Sequence, residues 1–184
     1  MLEILYYPEG NRGPVRDHLT SLAKSRPKAF ARLAIDLEIL GTEGLRSQRV
    51  IVRPMGNGLW ELKREDAQGR LGISPEKTER GDQPMRGFDK HLRGILEKNP
   101  EAALEHAKLF AELPLPVQLA IMRRRRKLSQ RALASKLKVR QPQVARTESP
   151  RHDPRISSIV RAARAVHCHV LLVPDEDLKR ISAA

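Results

Sequence analysis

The stretch over residues 123–148, RRRRKLSQRALASKLKVRQPQVARTE, constrains the fold more than any other part of this 184-residue chain. Ser129 is a suitable N-cap for a helix over Gln130–Leu137, because its side-chain oxygen can accept a backbone N–H of the first turn. Lys138-Val139 leaves room only for a tight turn. Pro142 then sits early in a second short helix, where its missing N–H costs little. The stretch therefore predicts two short helices joined by a tight turn.

The second of these helices carries polar side chains that suit DNA bases. Val144 is its apolar anchor, which leaves Gln141, Gln143 and Arg146 pointing outward. A glutamine can pair with adenine, and an arginine with guanine, in the major groove. Four further side chains are predicted to contact phosphates: Gln130, Arg131, Arg140 and Arg151. The pattern predicts a helix-turn-helix that binds double-stranded DNA in a sequence-specific way.

The charge distribution agrees with this interpretation. The formal net charge is +13, and residues 85–184 hold 21 of the 35 basic residues but only 10 of the 22 acidic ones. A polyanion-binding module needs such a local excess, although a merely solvated basic surface would show it too. The run Arg123–Lys127 winds around its helix, so only two or three of its side chains can contact phosphate.

The region from about Leu119 to Val166 resembles the Xre-type (Cro/C1-type) helix-turn-helix family. The resemblance rests on Leu128-Ser129-Gln130, Gln141-Pro142, Val144 and the alanine-rich run that begins at Ala162. It implies an all-α domain over 86–174, with a core at 117–167, of the kind found in HigA-type antitoxins. Thr147 departs from the family pattern, which has an apolar residue there, and Ser149-Pro150 replaces the common Arg-Gly. A helical domain that uses this packing for protein contacts is the alternative.

The N-terminal part has a different pattern. Leu2–Tyr7 is predicted as a strand, and helices are predicted after Pro14 and over Pro27–Leu40, the second with one apolar face and a stop at Gly41. Two strands, Val50–Val52 and Leu59–Leu62, flank Met55-Gly56-Asn57-Gly58, which is typical of a hairpin turn. A helical hairpin with a small antiparallel sheet, an α+β arrangement, is the expected fold.

Residues 1–70 resemble the HigB-type toxins of the RelE superfamily, a subgroup first noted in phage. The most characteristic string is RPMGNGLWELK, which begins at Arg53. The resemblance implies cleavage of mRNA on the ribosome by basic side chains, without metal or cofactor. The strand pattern stops after Arg70, so the sheet is expected to be incomplete and 71–85 to be a linker.

The predicted catalytic residues are Lys63, Arg64 and Arg70, which could stabilise negative charge in the transition state. No histidine, tyrosine or carboxylate is clearly placed as a general base. The alternative is that the three basic residues are ordinary exposed strand residues. This alternative is favoured, so the toxin-like part is expected to be an inactive remnant.

The C-terminal region offers two further patterns. The string His167-Cys168-His169 could suggest a metal site, but strand alternation would place the cysteine on the opposite face from the histidines, so no metal is expected. Val170–Val173 is predicted as a short strand, which in related antitoxins often pairs across a homodimer; simple packing on the domain is the alternative. Residues 175–184 are a tail.

The single cysteine fits a reducing cytoplasm, and no apolar run is long enough for a membrane span.

Together the two resemblances predict a truncated toxin domain fused to an antitoxin. The expected function is operator binding as a homodimer and repression of a toxin-antitoxin operon, in a bacterial or archaeal cytoplasm. An active or autoinhibited mRNA endonuclease is the first alternative, with the ribosome or its mRNA as partner. A protein-binding scaffold is the second, and a cognate toxin is a further possible partner.

Overall fold

A computed structural model describes residues 14–45, 47–56, 59–66, 69–73, 88–174 and 177. The described residues divide into two compact units, one within residues 14–109 and the other within residues 110–177. The described residues are mostly helical with one small antiparallel sheet, an α+β composition. The elements are α1 (Pro14–Ser25), α2 (Pro27–Glu43), β1 (Val52–Gly56), β2 (Leu59–Asp66), β3 (Gly69–Ile73), α3 (Phe88–Lys98), α4 (Pro100–Glu112), α5 (Leu115–Arg125), α6 (Gln130–Leu137), α7 (Gln141–Thr147) and α8 (Ile156–Ala165).

Some predictions fall outside the described residues. These are the strand at Leu2–Tyr7, the Asn57-Gly58 half of the predicted turn and nearly all of the tail over 175–184. The other half of that turn, Met55-Gly56, belongs to strand β1.

Helices α1 and α2 confirm the predicted helical hairpin, but the predicted end of α2 is wrong. Gly41 is buried within the helix, which continues to Glu43. The chain leaves the helix at Gly44, whose φ of 76° is readily adopted only by glycine and whose N–H donates to the Leu40 carbonyl. The later glycine ends the helix because the backbone turns left-handed there and not at Gly41.

From Leu33 to Gly41, helix α2 is buried on every side and not only on its predicted apolar face, whereas Lys28 and Arg32 near its start are exposed. The face with Phe30, Leu33 and Leu37 is buried as expected, and Asp36 and Glu38, on either side of Leu37, are each only 2% exposed. A helix covered all around must have neighbours on several sides. Helix α1 alone cannot cover it.

The sheet has three strands in the order β1-β2-β3, all antiparallel. The prediction that strand structure stops after Arg70 is wrong, because Gly69–Ile73 pairs with β2. Gly69 and Gly72 have low strand propensity, and backbone pairing with the edge of β2 outweighs it. Pro54 lies in β1, which has β2 as its only partner among the described strands, and this suits a residue that cannot donate a ladder hydrogen bond.

Helix α3 ends at Lys98 and α4 begins at Pro100, with Asn99 between them. The Asn99 side-chain amide donates to the Ile95 carbonyl at 2.7 Å and so satisfies the end of α3. Helix α3 and α4 up to Leu109 belong to the same compact unit as the hairpin α1–α2. The sequence resemblance had placed these helices with the C-terminal part, from residue 86 onward.

The second unit is built around one aliphatic cluster. Its buried members come from α5, α6, α7, α8 and the residue that follows α8, namely Leu119, Leu133, Ala134, Val144, Ile159, Ala162, Ala163 and Val166. Ile156, at the first position of α8, is 59% exposed and does not belong to this cluster.

The predicted strand over Val170–Val173 does not form in the single chain. Leu171 is 71% exposed and Leu172 fully exposed. A strand needs a neighbour for its backbone hydrogen bonds, and none of the described strands pairs with this segment.

Candidate nucleic-acid interface

The segment from α6 to α7 folds as its local signals predict. The Ser129 hydroxyl accepts the Ala132 N–H at 3.0 Å and caps α6. Lys138 ends the helix in the left-handed region, with φ 54°, and the Val139 N–H returns to the Ala134 carbonyl at 3.0 Å. This closure joins two short helices through only three residues and fixes the direction of α7.

Helix α7 has one buried anchor and an exposed face. Val144 is 3% exposed and packs in the aliphatic cluster, as predicted. Gln141, Gln143 and Arg146 are exposed on the outer side. The structure thus places all three predicted base-reading residues on the solvent side of one helix.

The side chains of Gln141 and Gln130 are joined across the two helices. Gln141 Nε2 donates to Gln130 Oε1 at 2.8 Å, and Gln130 Nε2 donates to Glu148 Oε2 at 3.0 Å. Glu148, when ionised, can only accept hydrogen bonds, so it sets the direction of both amides. Gln141 is therefore left with its own Oε1 and one N–H directed to solvent.

A buried ion pair supports this network. Arg123 Nε lies 2.6 Å from Glu148 Oε1, and Nη2 lies 3.0 Å from Oε2, with both side chains buried. Arg123 Nη1 also donates to the Leu128 carbonyl. Such a bidentate pair is geometrically specific, and it connects α5 with the end of α7.

Sequence reasoning missed the ion pair. Arg123 had been treated as one member of a solvated run that winds around its helix. A signal was nevertheless present, because Glu148 is the only acidic residue between Glu112 and Asp153. An isolated carboxylate in so basic a stretch indicates a specific cationic partner.

Gln143 has a second role, at the start of its own helix. Its Oε1 accepts the Arg140 N–H at 3.0 Å, which is half of a capping box. This bond uses one lone pair of Gln143 Oε1, while both of its amide N–H groups remain to bind a ligand. Its side chain is therefore better suited to donate to an acceptor than to make the donor-plus-acceptor pair that Gln141 can make.

Thr147, the last residue of α7, stands where the sequence resemblance led us to expect an apolar side chain. Its hydroxyl donates to the Gln143 carbonyl at 2.9 Å, and it lines a pocket of about 100 Å³ between α7 and α8. The polar group is thus satisfied without an apolar side chain at this position.

The predicted phosphate-contacting residues separate into two groups. Arg131, Arg140 and Arg151 are exposed. Gln130 is half-buried, and its amide is already engaged with Glu148 and Gln141. Of the four predicted residues, the three arginines are therefore the ones exposed to bind phosphate, whereas Gln130 is not.

The side chains of the run Arg123–Lys127 also lie in different environments. Arg125 lies over the Phe110 ring, with its guanidinium carbon 5.3 Å from the ring centre, a cation–π arrangement. Arg126 and Lys127 are exposed. The run is not a uniform basic patch.

The predicted catalytic residues lie in the other unit, on β2 and β3. In the ladder, Arg70 is opposite Glu65, and Lys63 lies two residues before Glu65. Positions 63 and 70 therefore share one face of the sheet, and position 64 lies on the other. The side chains of these three residues lie outside the part of the chain that the structure describes.

The His167-Cys168-His169 string does not alternate as a strand would. His167 has φ 57° in the turn after α8, and Cys168 N–H donates to the Ala163 carbonyl at 2.9 Å. Within the described ranges, no group of three or more His, Cys, Asp or Glu side chains is arranged to hold a metal ion.

Comparison with protein-family models, curated proteins and solved structures finds no match for this chain. None of the helices in the described part combines the length and apolar character that crossing a bilayer requires.

Proposed function

We propose that α6 and α7 form a helix-turn-helix that binds double-stranded DNA in a sequence-specific way, and that the chain is a transcriptional repressor of the antitoxin type. The observation that carries the proposal is the exposed Gln141 amide, oriented by Gln130 on a helix anchored by Val144. A side chain held in one orientation before binding loses little entropy when it contacts a base.

The free groups on Gln141 match one base edge. Its Oε1 accepts, and its remaining N–H donates, which complements the N6 amino group and N7 of adenine in the major groove. Arg146 is exposed on the same helix and would complement O6 and N7 of guanine. Gln143, whose oxygen already accepts the Arg140 N–H, would favour a base that presents acceptors to its amide donors.

The phosphate contacts follow from the exposed arginines. Arg131, Arg140 and Arg151 carry charge around the base-reading face without a role in base recognition. Each phosphate contact releases counterions, so the logarithm of the binding constant should fall with the logarithm of the salt concentration by about 0.9 per contact.

Repression as a homodimer fits the exposed leucine pair within the segment Val170–Val173. Leu171 and Leu172 form an apolar pair that a lone chain leaves in water. Pairing of this segment between two copies would provide the missing strand neighbour. It would also give two recognition helices for half-sites about one turn of DNA apart.

The test is selection of bound sequences from a random duplex library, followed by binding titrations of the selected site at several salt concentrations. We expect enrichment of a two-fold symmetric site and a steep loss of affinity with salt. No enrichment, or a titration that does not change between low and high salt, would contradict the proposal.

The endonuclease alternative retains one supporting observation. The third strand places positions 63 and 70 on one face of the sheet, as a shared basic site would require. Incubation of the intact chain with translating ribosomes distinguishes the two functions. We expect no mRNA cleavage, whereas cleavage that disappears in Arg70→Ala would establish the enzyme.

A further inference from the structure

The pocket between α7 and α8, with a volume of about 100 Å³, lies within the second unit. Its aliphatic lining comes from Leu119, Leu137, Val139, Val144 and Ala162. These side chains are buried or half-buried. The pocket therefore has an apolar wall, and this wall includes the anchor of the helix that carries the exposed Gln141 and Arg146.

The polar groups on the α7 side of the pocket are already engaged. The Thr147 hydroxyl donates to the Gln143 carbonyl at 2.9 Å, and Gln143 Oε1 accepts the Arg140 N–H at 3.0 Å. Thr147 therefore has no proton left to donate to a molecule in the pocket. Most of the capacity to bind a polar group must come from α8.

Ser158 and Arg161 on α8 supply that capacity. Both line the pocket and both are exposed, so they lie at its mouth. Within the part of the chain that the structure describes, neither side chain has a hydrogen-bond or ion-pair partner. The two residues are three positions apart on α8 and so share one face of the helix. A guanidinium fork with a hydroxyl beside it favours a carboxylate.

The size and the charge of the pocket limit the ligand. An apolar cavity of about 150 Å³ holds a molecule of the size of benzene, so this pocket has room for an aliphatic chain of about three or four carbon atoms. Arg161 is the only cationic residue among the described lining residues. A single guanidinium matches a planar monoanion better than a phosphate dianion, which needs more donors.

We propose that this pocket binds a short-chain aliphatic monocarboxylate. The carboxylate is bound by Arg161 and Ser158 at the mouth, and the chain packs against Val139 and Val144. Such a ligand contacts α7 and α8 at once and stabilises the arrangement in which α7 is presented to solvent. Operator affinity should then rise when the ligand is bound, and the operator should raise the affinity for the ligand by the same factor. This coupling rests on the proposed DNA-binding function, whereas the site itself does not.

The first test is a titration of the full, isotope-labelled chain with sodium butanoate at constant ionic strength, followed by the amide NMR signals of Val139, Val144 and Ala162. We expect saturable shifts with a dissociation constant of about 1 mM or lower. Acetate, which lacks the chain, should bind at least about tenfold more weakly. Butylammonium, which has the chain but the opposite charge, should not bind. Equal binding of butanoate and butylammonium, or no saturable shift with butanoate, would overturn the proposal.

Variants of α7 and α8 locate the site. Arg161→Gln should weaken butanoate binding by about tenfold or more, since the charged fork is lost. Thr147→Ile places a longer aliphatic side chain in the pocket and should also abolish binding, while circular dichroism shows the helices retained. Arg164→Gln, at an exposed arginine of the same helix that does not line the pocket, is the matched control and should bind as the wild type does. Wild-type affinity in Arg161→Gln would overturn the assignment, whether or not the Thr147 variant folds.

The coupling is measured by titration of the selected operator with and without saturating butanoate. We expect about fivefold tighter operator binding in the wild type and no change in Arg161→Gln. Unchanged or weaker operator binding with butanoate bound would overturn the coupling. Butanoate binding without any selected operator counts against the repressor function, and operator binding without butanoate binding counts against this site.

Discussion

Arg123 and Glu148 form a bidentate ion pair inside the second unit, with N–O distances of 2.6 and 3.0 Å. The pair joins α5 to the end of α7, and Glu148 also accepts from Gln130, which in turn orients Gln141. One buried carboxylate thus connects the packing of the unit to the direction of the side chain proposed to read a base.

Removal of one partner of this pair should destabilise the unit severely. We expect Arg123→Met to lower the free energy of unfolding by about 3–5 kcal/mol, because Glu148 would remain buried without its cation. Urea denaturation followed by circular dichroism measures this change. Arg126→Met, at an exposed neighbour, should stay within about 0.5 kcal/mol of the wild type. The double variant Arg123→Met with Glu148→Leu should recover most of the loss, and equal losses in the single and double variants would contradict this account.

Two variants on the proposed DNA-binding surface should distinguish a residue that recognises a base from one that contacts a phosphate. Gln141→Ala should cost about 1–3 kcal/mol for the selected operator and relax the preference at a single base pair. Arg140→Ala should weaken all sequences alike and reduce the salt slope by about one. Titration of the selected site and its single-base variants by fluorescence anisotropy measures both effects. If Gln141→Ala instead lowered the affinity for all sequences equally, Gln141 would contact the DNA backbone and not a base.

The first unit should lose stability in mild acid because of His91. Burial lowers the pKa of His91 below its ordinary value of 6.5, the nearby Arg16 lowers it further, and Asp17 opposes this in part. The unfolded chain therefore binds the proton at higher pH than the folded chain, so stability falls as the pH drops through about 6.5 toward the lowered pKa. Urea denaturation at pH 8, 7, 6 and 5 should show this fall, and His91→Gln should flatten it. His18→Gln, at an exposed histidine of α1, should retain the wild-type dependence.

The oligomeric state should depend on the exposed leucine pair. We expect Leu172→Asp to convert a dimer into a monomer, because a charge would be placed where an apolar side chain meets a second copy. Sedimentation velocity of the two proteins at equal concentrations tests this. Ile51→Asp, at an apolar residue of the other unit that is 72% exposed, is the control and should leave the dimer intact. A wild-type chain that sediments as a monomer at all concentrations would refute the homodimer.

The parts of the fold that the sequence predicted correctly depend on local signals. Ser129 as a cap and Val144 as an anchor each act within a few residues, so periodicity and capping rules suffice. The left-handed turn at Lys138 was predicted only as a turn, because no glycine marks it.

The features that sequence reasoning missed depend on pairings between distant segments. Strand β3 forms although Gly69 and Gly72 disfavour it, since β2 provides its hydrogen bonds. The contact between Glu38 and His106 joins residues on opposite sides of a boundary that resemblance alone had drawn. Periodicity describes one element at a time and carries no information on which elements meet.

The arginine run that begins at Arg123 shows that neighbouring residues of one type need not be interchangeable. A lysine could replace the exposed Arg126, because any cation there meets solvent or a phosphate. At Arg123 a lysine could not donate two parallel hydrogen bonds to Glu148 and a third to the Leu128 carbonyl, since it lacks the planar fork of the guanidinium. Homologous chains should therefore exchange arginine and lysine freely at the end of this run and retain arginine at its first position wherever the glutamate is retained.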